Sequence, residues 1–389
     1  MTASSERPPA ASAPLVTVVT PSYNQAAYLE FTLQSVLRQD YPNLEYLVVD
    51  GGSTDGSLDV IQRYAAEPPG GQPGLAWWVS EPDGGQAQAL NKGLSRAQGE
   101  FVAWLNSDDL YLPGAVRQAV QALQANPGVS MVYGDAITID PQGRMIGRFT
   151  FQDWGLRDLA AFRIICQPAV MMRRSFLEKM YRSDGFFLDE TYHLMLDHHL
   201  WLRLAAQAPV QHVGGATGVW AAARAHPAAK NVASAAGFAA EILRLKEWLL
   251  SRQAGHDNQE SLQESLSELD KICQSASERR RIAGGAYRLA ARYLLDGGQP
   301  GQALRWYLKA FVLCPAYTLQ HAHRILYALL SLLGAGGMAA SYYRARQGQR
   351  AGLALPAGVT TWPGLSLHPG TGEMEVAPLS EAGRAAGAG

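Results

Sequence analysis

Little in this chain can lock it together covalently. Among 389 residues there are three cysteines, Cys166, Cys273 and Cys314, odd in number and far apart. That argues against a disulfide framework or a thiolate zinc site and fits a reducing cytoplasm. Net charge is also lacking. A formal value of -1 leaves no electrostatic drive toward nucleic acid or an acidic membrane surface, so any phosphate must be bound locally. The opening residues 1–13, MTASSERPPAASA, are polar and rich in Pro and Ala, without the apolar core of a signal peptide, and read as a disordered leader. A convincing membrane span is missing too. Ile325 to Tyr343 has the length and no charged side chain, but its second half, with Gly334, Ala335, Gly336, Gly337 and Ala339, is weakly apolar. A buried or surface-lying helix is the expectation there.

What the chain does have is apolar residues, 47% of the total, enough for an α/β domain of about 200–250 residues and a smaller second unit. Leu15 to Thr20 reads as a first strand and Ala27 to Arg38 as a helix, with Leu29, Leu33, Val36 and Leu37 on one side. Leu44 to Val49 is a second strand, stopped by a Gly-rich turn at Asp50 to Gly56, and Leu75 to Val79 a third. Phe101 to Leu105 is a fourth, ending in Asn106, Ser107, Asp108 and Asp109. The repeated strand, turn and helix predicts a mostly parallel sheet with helices on both faces. Its polar turns then share one edge, gathering Tyr23, Asp50, Asp83 and Asp108 around one crevice.

The acidic turn has two readings that hold together. Adjacent carboxylates at a strand's carboxyl end suit a hard cation such as Mg²⁺ or Mn²⁺, which fills its other positions with water and phosphate oxygens. Ser107 to Asp109, followed by Pro113, also suits a helix cap. Farther on, Val129 to Tyr133 reads as a strand and Ala136 to Thr150 as a hairpin turning at Pro141 to Gly143. Gln167 to Met172 reads as a further strand. Asp197 stands near the start of a helix over Leu196 to Ala206, a favoured place for a carboxylate whatever its role. Beyond about Lys230 the pattern is helical. Residues 283–315 resemble one tetratricopeptide-type helix pair, turning at Gly297-Gly298, which must pack on its neighbours to bury its faces.

Several motifs follow one another in order: TPSYNQ at Thr20 to Gln25, VVDGGSTDGS at Val48 to Ser57, SEPDGGQAQALNKG at Ser80 to Gly93, WLNSDDLYLPGA at Trp104 to Ala115, and DHHLWLRLA at Asp197 to Ala205. Together they resemble the family 2 glycosyltransferases, an inverting group with the Rossmann-like GT-A fold, over about Pro14 to Lys230. The resemblance implies roles. Pro21 and Tyr23 match the segment packed around the nucleotide base, and Asp50 the carboxylate that reads a base N–H edge, usually of uracil. Asp83 matches the acidic residue of the third turn; Asn91 and Lys92 fall where polar or basic groups face the diphosphate, with a solvated helix charge as the alternative for Lys92.

Asn106, Ser107 and Asp108 occupy the place of the DXD metal motif, with Asn106 for its first Asp, which leaves Asp108 as the implied ligand. Asp109 is implied either on sugar hydroxyls or in the turn. Asp197 matches the general base, for which an ordinary low carboxylate pKa suffices if the proton moves late. Leu196 and His199 replace acidic residues of that motif, so acceptor contacts do not carry over. His226 falls where relatives place a His over the diphosphate, as metal ligand, phosphate contact or loop residue, with Arg224 and Lys230 as weaker phosphate candidates. Trp201 reads as sugar platform or core; Gln167-Pro168 reads as acceptor lining.

The expected organisation is a leader over 1–13, a GT-A domain over 14–230, a helical region over 231–345 and a flexible tail over 346–389. The expected activity is metal-dependent inverting transfer from a nucleotide-sugar, UDP-sugar favoured, to a glycan or lipid-linked sugar, as in surface polysaccharide or glycoconjugate assembly. The expected place is the cytoplasm, with peripheral membrane or protein docking through the C-terminal helices. The competing readings are a nucleotidyltransferase, opposed by TPSYN in place of a Gly-rich basic loop, and a catalytically silent carbohydrate-binding or assembly protein, favoured by Asn106 and the helix pair and opposed by the presence of both Asp108 and Asp197. A hydride-transferring Rossmann enzyme is opposed by the lack of GxGxxG after the first strand.

Overall fold

The computed structural model describes residues 13–66, 74–215, 218–226, 229–230, 234–252, 266–335 and 337. Apart from residue 13, the expected leader lies outside the described residues, as does the tail over 346–389.

Strands β1 (Val16–Ser22), β2 (Leu44–Asp50), β3 (Trp77–Ser80) and β4 (Phe101–Trp104) lie side by side in the order β3-β2-β1-β4, all parallel. β1 is buried along its whole length, as a strand covered on both faces must be, which is why VTVVT is a continuous apolar and β-branched run. Helices α1 (Ala26–Leu37), α2 (Ser57–Ala66) and α3 (Gln86–Leu94) link these strands. The register sets Ser22 beside Asp50 and Asp50 beside Ser80, so the turns do share one edge.

The acidic turn is not a helix cap. Leu110–Tyr111 forms a short strand, β5, and α4 (Ala115–Ala125) begins only after Gly114. Val116, Ala119, Val120 and Leu123 of α4 recur at helical spacing and are buried.

The remainder of the sheet is mixed. β6 (Met131–Ile139) is one continuous strand where a strand and a separate hairpin arm were expected. Its first half pairs antiparallel with β8 (Val170–Arg173) and parallel with β9 (Val210–Val213), joining it to β4 through β8. Its second half pairs with β7 (Met145–Phe149) in the expected hairpin and with β10 (Val219–Arg224), which in turn pairs with β5. β6 thus carries the main sheet into a smaller one that brings Arg224 to the acidic turn. Helices α5 (Leu156–Ala160), α6 (Arg174–Asp184) and α7 (Leu196–Gln207) flank this part.

Among the described residues six more helices follow: α8 (Ala235–Ser251), α9 (Ser267–Gln274), α10 (Ala276–Asp296), α11 (Pro300–Leu313), α12 (Pro315–Leu319) and α13 (Ala322–Leu332). The helix pair is α10 and α11, and it packs against α5 and the residues after it. A Cβ on Gly285 would meet the Ala161 carbonyl oxygen at 2.0 Å, so only glycine lets α10 pass this close. Arg288 donates to Phe162 O at 2.9 Å, and Arg281 pairs with Asp158 at 2.6 Å. One apolar core runs from Val19 and Leu47 through Leu200 to Leu245, Leu289 and Tyr307. Burying a leucine of this kind contributes about 2 kcal/mol. The Ile325 to Tyr343 stretch enters α13, which ends at Leu332. Eleven residues span roughly 16 Å against a hydrocarbon core of about 30 Å. No helix among the described residues is long and apolar enough to cross a membrane.

Candidate active site

The first wall of the crevice is built by the turns after β1, β2 and β3. Pro21 is buried in β1, while Tyr23 just beyond is 63% exposed and offers a free aromatic face. Asp50, fully buried at the end of β2, accepts from Ser53 N at 2.8 Å, Gly52 N at 3.1 Å, Ser80 Oγ at 2.7 Å and Ser53 Oγ at 2.5 Å. Most of its acceptor capacity goes into shaping this loop. Asp83 accepts from Gly85 N at 2.8 Å and lies against Gly51, where a Cβ would meet its Oδ2 at 3.1 Å. The turns after β2 and β3 therefore close on each other through a glycine.

The acidic turn forms the centre. Asp109 is buried; its Oδ1 accepts from Arg224 N at 2.9 Å and its Oδ2 from Asn106 Nδ2 at 3.3 Å. Burial, and then the neighbouring Asp108 charge, push the Asp109 carboxyl well above the usual range. The rise favours the neutral form of Asp109. Asp108, its side chain 19% exposed, faces His226 Nε2 from Oδ2 at 2.9 Å. Tyr28 in α1 lies beneath, with its ring 4.9 Å from that of His226 and the Arg224 guanidinium 4.8 Å from its centroid. Arg224 also donates to Asp108 O at 3.0 Å, bracing the turn's backbone.

Asn106 has a definite place in this arrangement. Lys230 Nζ donates to Gln86 Oε1 at 2.7 Å, Gln86 Nε2 to Asn106 Oδ1 at 2.7 Å, and Asn106 Nδ2 to Asp109. An amide can both accept and donate here, whereas an Asp would set a third carboxylate against Asp108 and Asp109. Ser107 is buried inside the turn. Among the described residues no three His, Cys, Asp or Glu side chains group as metal ligands. Asp108 with His226 fits a cation that draws its other ligands from water and a diphosphate, the habit of Mg²⁺ and Mn²⁺.

Asp197 forms the third part, in the first turn of α7. Its carboxylate accepts from His198 N at 2.6 Å. Burial raises its pKa to about 6, with Glu241 adding to the rise and backbone hydrogen bonds and Lys230 opposing it. An ordinary low value would suffice for a late proton transfer; desolvation gives a higher one here. Glu241 in α8 accepts backbone N–H bonds from His193 at 2.9 Å and from Leu194 and Met195 at 2.9 Å each. That one carboxylate closes the start of α7, whose Met195 N-cap offers no side-chain bond of its own. Lys230 stands between the two poles: its ammonium end is enclosed enough for desolvation to lower its pKa, although the residue as a whole is exposed, and the Glu241, Asp108 and Asp197 charges oppose that change.

Other candidates have structural partners. Asn91 donates to Leu188 O at 2.8 Å and accepts from Leu188 N at 2.9 Å, pinning the segment ahead of α7. Lys92 is ion-paired with Glu81. Trp201 is core, stacked on Trp104 with ring centroids 5.2 Å apart. Gln167 is buried with Pro168 and donates to Trp104 O at 2.8 Å at the end of β4. His199 is buried, and burial pushes its pKa well down. Sequence reasoning missed Gln86, Tyr28 and Glu241, and also Cys166, whose thiol is pushed up by burial and then by the charges of Asp109 and Asp197. Gln86 lay inside a quoted motif; Glu241 lies beyond all of them and left no local signal.

The sequence profile described as Glycosyl transferase family 2 matches residues 17–181, a stretch ending before Asp197, His226 and Lys230. An uncharacterised glycosyltransferase of Mycobacterium tuberculosis (strain ATCC 25618 / H37Rv) is 42% identical over 125 residues, 32% of this chain and 45% of that protein. A chondroitin synthase of Pasteurella multocida (strain Pm70) is 27% identical over 201 residues, 51% of this chain and 20% of that protein. The matched stretch spans less than half the length of either relative. A crystal structure of S. aureus TarS 1-349 in complex with UDP-GlcNAc has a TM-score of 0.47 and 16% identity, over 90% of this chain and 100% of that one, too loose a likeness to carry any residue's role. Through the profile match and its ordered motifs on the parallel half of the sheet, residues 17–181, less than half of the chain, are similar to glycosyl transferase family 2.

Proposed function

We propose that this protein transfers a sugar, with inversion, from a nucleoside diphosphate sugar to a hydroxyl of a glycan or lipid-linked acceptor. The observation that carries the reading is the placing of two carboxylates around Lys230: Asp108 facing His226, and Asp197 with its pKa raised to about 6. Tyr23 offers the base a stacking face, and Asp50 and Asp83 shape the loops beside it. Asp108 and His226 would hold a divalent cation, which offsets charge on a departing diphosphate when bound. Lys230 adds positive charge on the same side.

Asp197 takes the proton of the acceptor hydroxyl as its oxygen attacks the anomeric carbon from the face opposite the nucleotide. The bond to the leaving phosphate oxygen breaks as the new glycosidic bond forms. A pKa of about 6 suits this task near neutral pH, since the group is ionised there yet basic enough to accept a proton. A UDP-sugar is the favoured donor by family resemblance, and surface polysaccharide or glycoconjugate assembly the favoured setting, in keeping with the polymer made by the chondroitin synthase relative. Calorimetric titration with UDP, GDP and dTDP, each with and without Mn²⁺, tests the donor half. Metal-dependent binding of one nucleotide supports it, and equal binding with and without metal contradicts it.

A further inference from the structure

The exposed large apolar side chains of this molecule are unevenly distributed. Tyr23, Ile146 and Tyr181 are scattered, but Leu308, Phe311, Val312, Leu319, Leu326, Leu329, Leu332 and Leu333 all fall within the last three described helices and the residue after them. Along α13 and the residue that caps it, Ala322, Leu326, Leu329 and Leu333 follow one another at steps of three and four, one face open to solvent. On α11 the exposed face is Arg305, Leu308, Lys309 and Val312 at the same steps. The two helices lie side by side: a Cβ on Gly301, at the start of α11, would come 3.7 Å from Leu332 at the end of α13. A contiguous apolar surface of this kind marks an interaction site rather than ordinary exposure.

The charge around that surface identifies its partner. From Gly297 to Gly372 the sequence contains no Asp or Glu, while Arg305, Lys309, Arg324, Arg344, Arg346 and Arg350 are all basic. The near-neutral total hides this, because the acidic residues lie elsewhere. Among the described residues Arg305 and Lys309 pair with no carboxylate, and Lys309 lies over the Trp306 ring with its ammonium 4.3 Å from the centroid. Basic side chains interleaved with exposed leucines on short helices are the pattern of an element that lies in the headgroup plane of a bilayer. A protein partner of ordinary character would leave no reason for acidic residues to be absent over so long a stretch. α13 is too short to span, so the face rests on the membrane instead of crossing it.

We infer that the outer face of α11 and α13 docks this protein on an anionic lipid surface, with the leucines entering the headgroup boundary and Arg305 and Lys309 against lipid phosphates. This does not depend on the proposed transfer reaction, although it would bring the crevice to lipid-linked acceptors.

The test is sedimentation of the full chain with vesicles of phosphatidylcholine alone and of phosphatidylcholine with about a third phosphatidylglycerol. The expected result is binding at least about tenfold stronger to the anionic vesicles, weakened by added salt. The double variant Leu326→Glu/Leu333→Glu and the charge reversal Arg305→Glu/Lys309→Glu should each reduce it at least about tenfold. Both change exposed residues, and circular dichroism together with unchanged thermal melting confirms that they fold. Failure to bind, or equal binding to both vesicle types, overturns the inference. So does a concentration-dependent dimer in sedimentation equilibrium that Leu326→Glu abolishes, which would assign the face to a second copy.

Discussion

The acidic turn and the start of the Asp197 helix each present a carboxylate to the crevice, and the two are supported in opposite ways. Asp108 faces His226, and its neighbour Asp109 is buried and pushed toward the neutral form. Asp197 is held by its backbone, through a helix start that Glu241 closes, in surroundings that favour its protonated form. The difference suits the two tasks proposed for them. A group that holds a cation must stay ionised, whereas a group that receives a proton must be near balance. The supports also differ in origin. The turn is braced by Gln86, Tyr28 and Arg224 from the sheet and its helices, while Asp197 rests on a glutamate from beyond residue 230.

The largest effect that separates the two is expected at Asp197. Asp197→Asn should lower kcat by about 1,000-fold while donor affinity changes less than about twofold, read from transfer kinetics and donor titration. Asp108→Ala should act the other way round. It should abolish the metal-dependent part of donor binding, weakening the donor at least about tenfold in calorimetry. If both variants lost donor binding equally, the division of roles would fail.

Glu241→Gln sharpens the comparison. Exchanging a charged acceptor of three N–H bonds for an amide costs about 1–2 kcal/mol, so kcat should fall about tenfold with donor affinity unchanged. Removing the Glu241 charge should also move the acid limb of the rate profile to lower pH, because that charge raises the Asp197 pKa. A purely structural role would not shift the limb. The smallest effect is at Asn106. Asn106→Asp should destabilise the fold by about 1 kcal/mol, seen in thermal melting, and reduce activity less than about tenfold, since it adds repulsion without a new task.

Stability gives an independent sign. The folded Asp197 pKa lies above its ordinary 3.8, so ionising it costs stability as pH rises from about 4 and the cost is complete above about 6. Asp197→Asn should therefore melt higher than the wild type at pH 7, with the gain vanishing near pH 4.

The parallel half of the sheet was legible because each strand is a continuous apolar run that ends in Gly, Asp or Asn. Parallel pairing then forces those ends to one edge, and Tyr23, Asp50, Asp83 and Asp108 arrive together. What was not legible depends on distant partners. Lys92 and Asn91 have the residue types of phosphate contacts, but Glu81 and Leu188 occupy them. β6 reads as two strands because its apolar run is broken near Gly134 and Asp135, the point at which it passes from one sheet to the other. Asp109 looks like a second ligand until its burial and its bond from Arg224 are seen. The Asp197 position could be matched by motif, but its elevated pKa could not, since desolvation comes from the packing of α7 and not from its neighbours in sequence.

The central claim is that Asp197 is a desolvated base, and the dependence of kcat on pH at saturating donor tests it most directly. The expected profile is flat above about pH 7 and falls toward tenfold per pH unit below a midpoint near 6, as the carboxylate that must receive the proton becomes protonated. A rate that stays level down to about pH 4.5 would contradict the assignment, because a base with this pKa would be almost wholly protonated there.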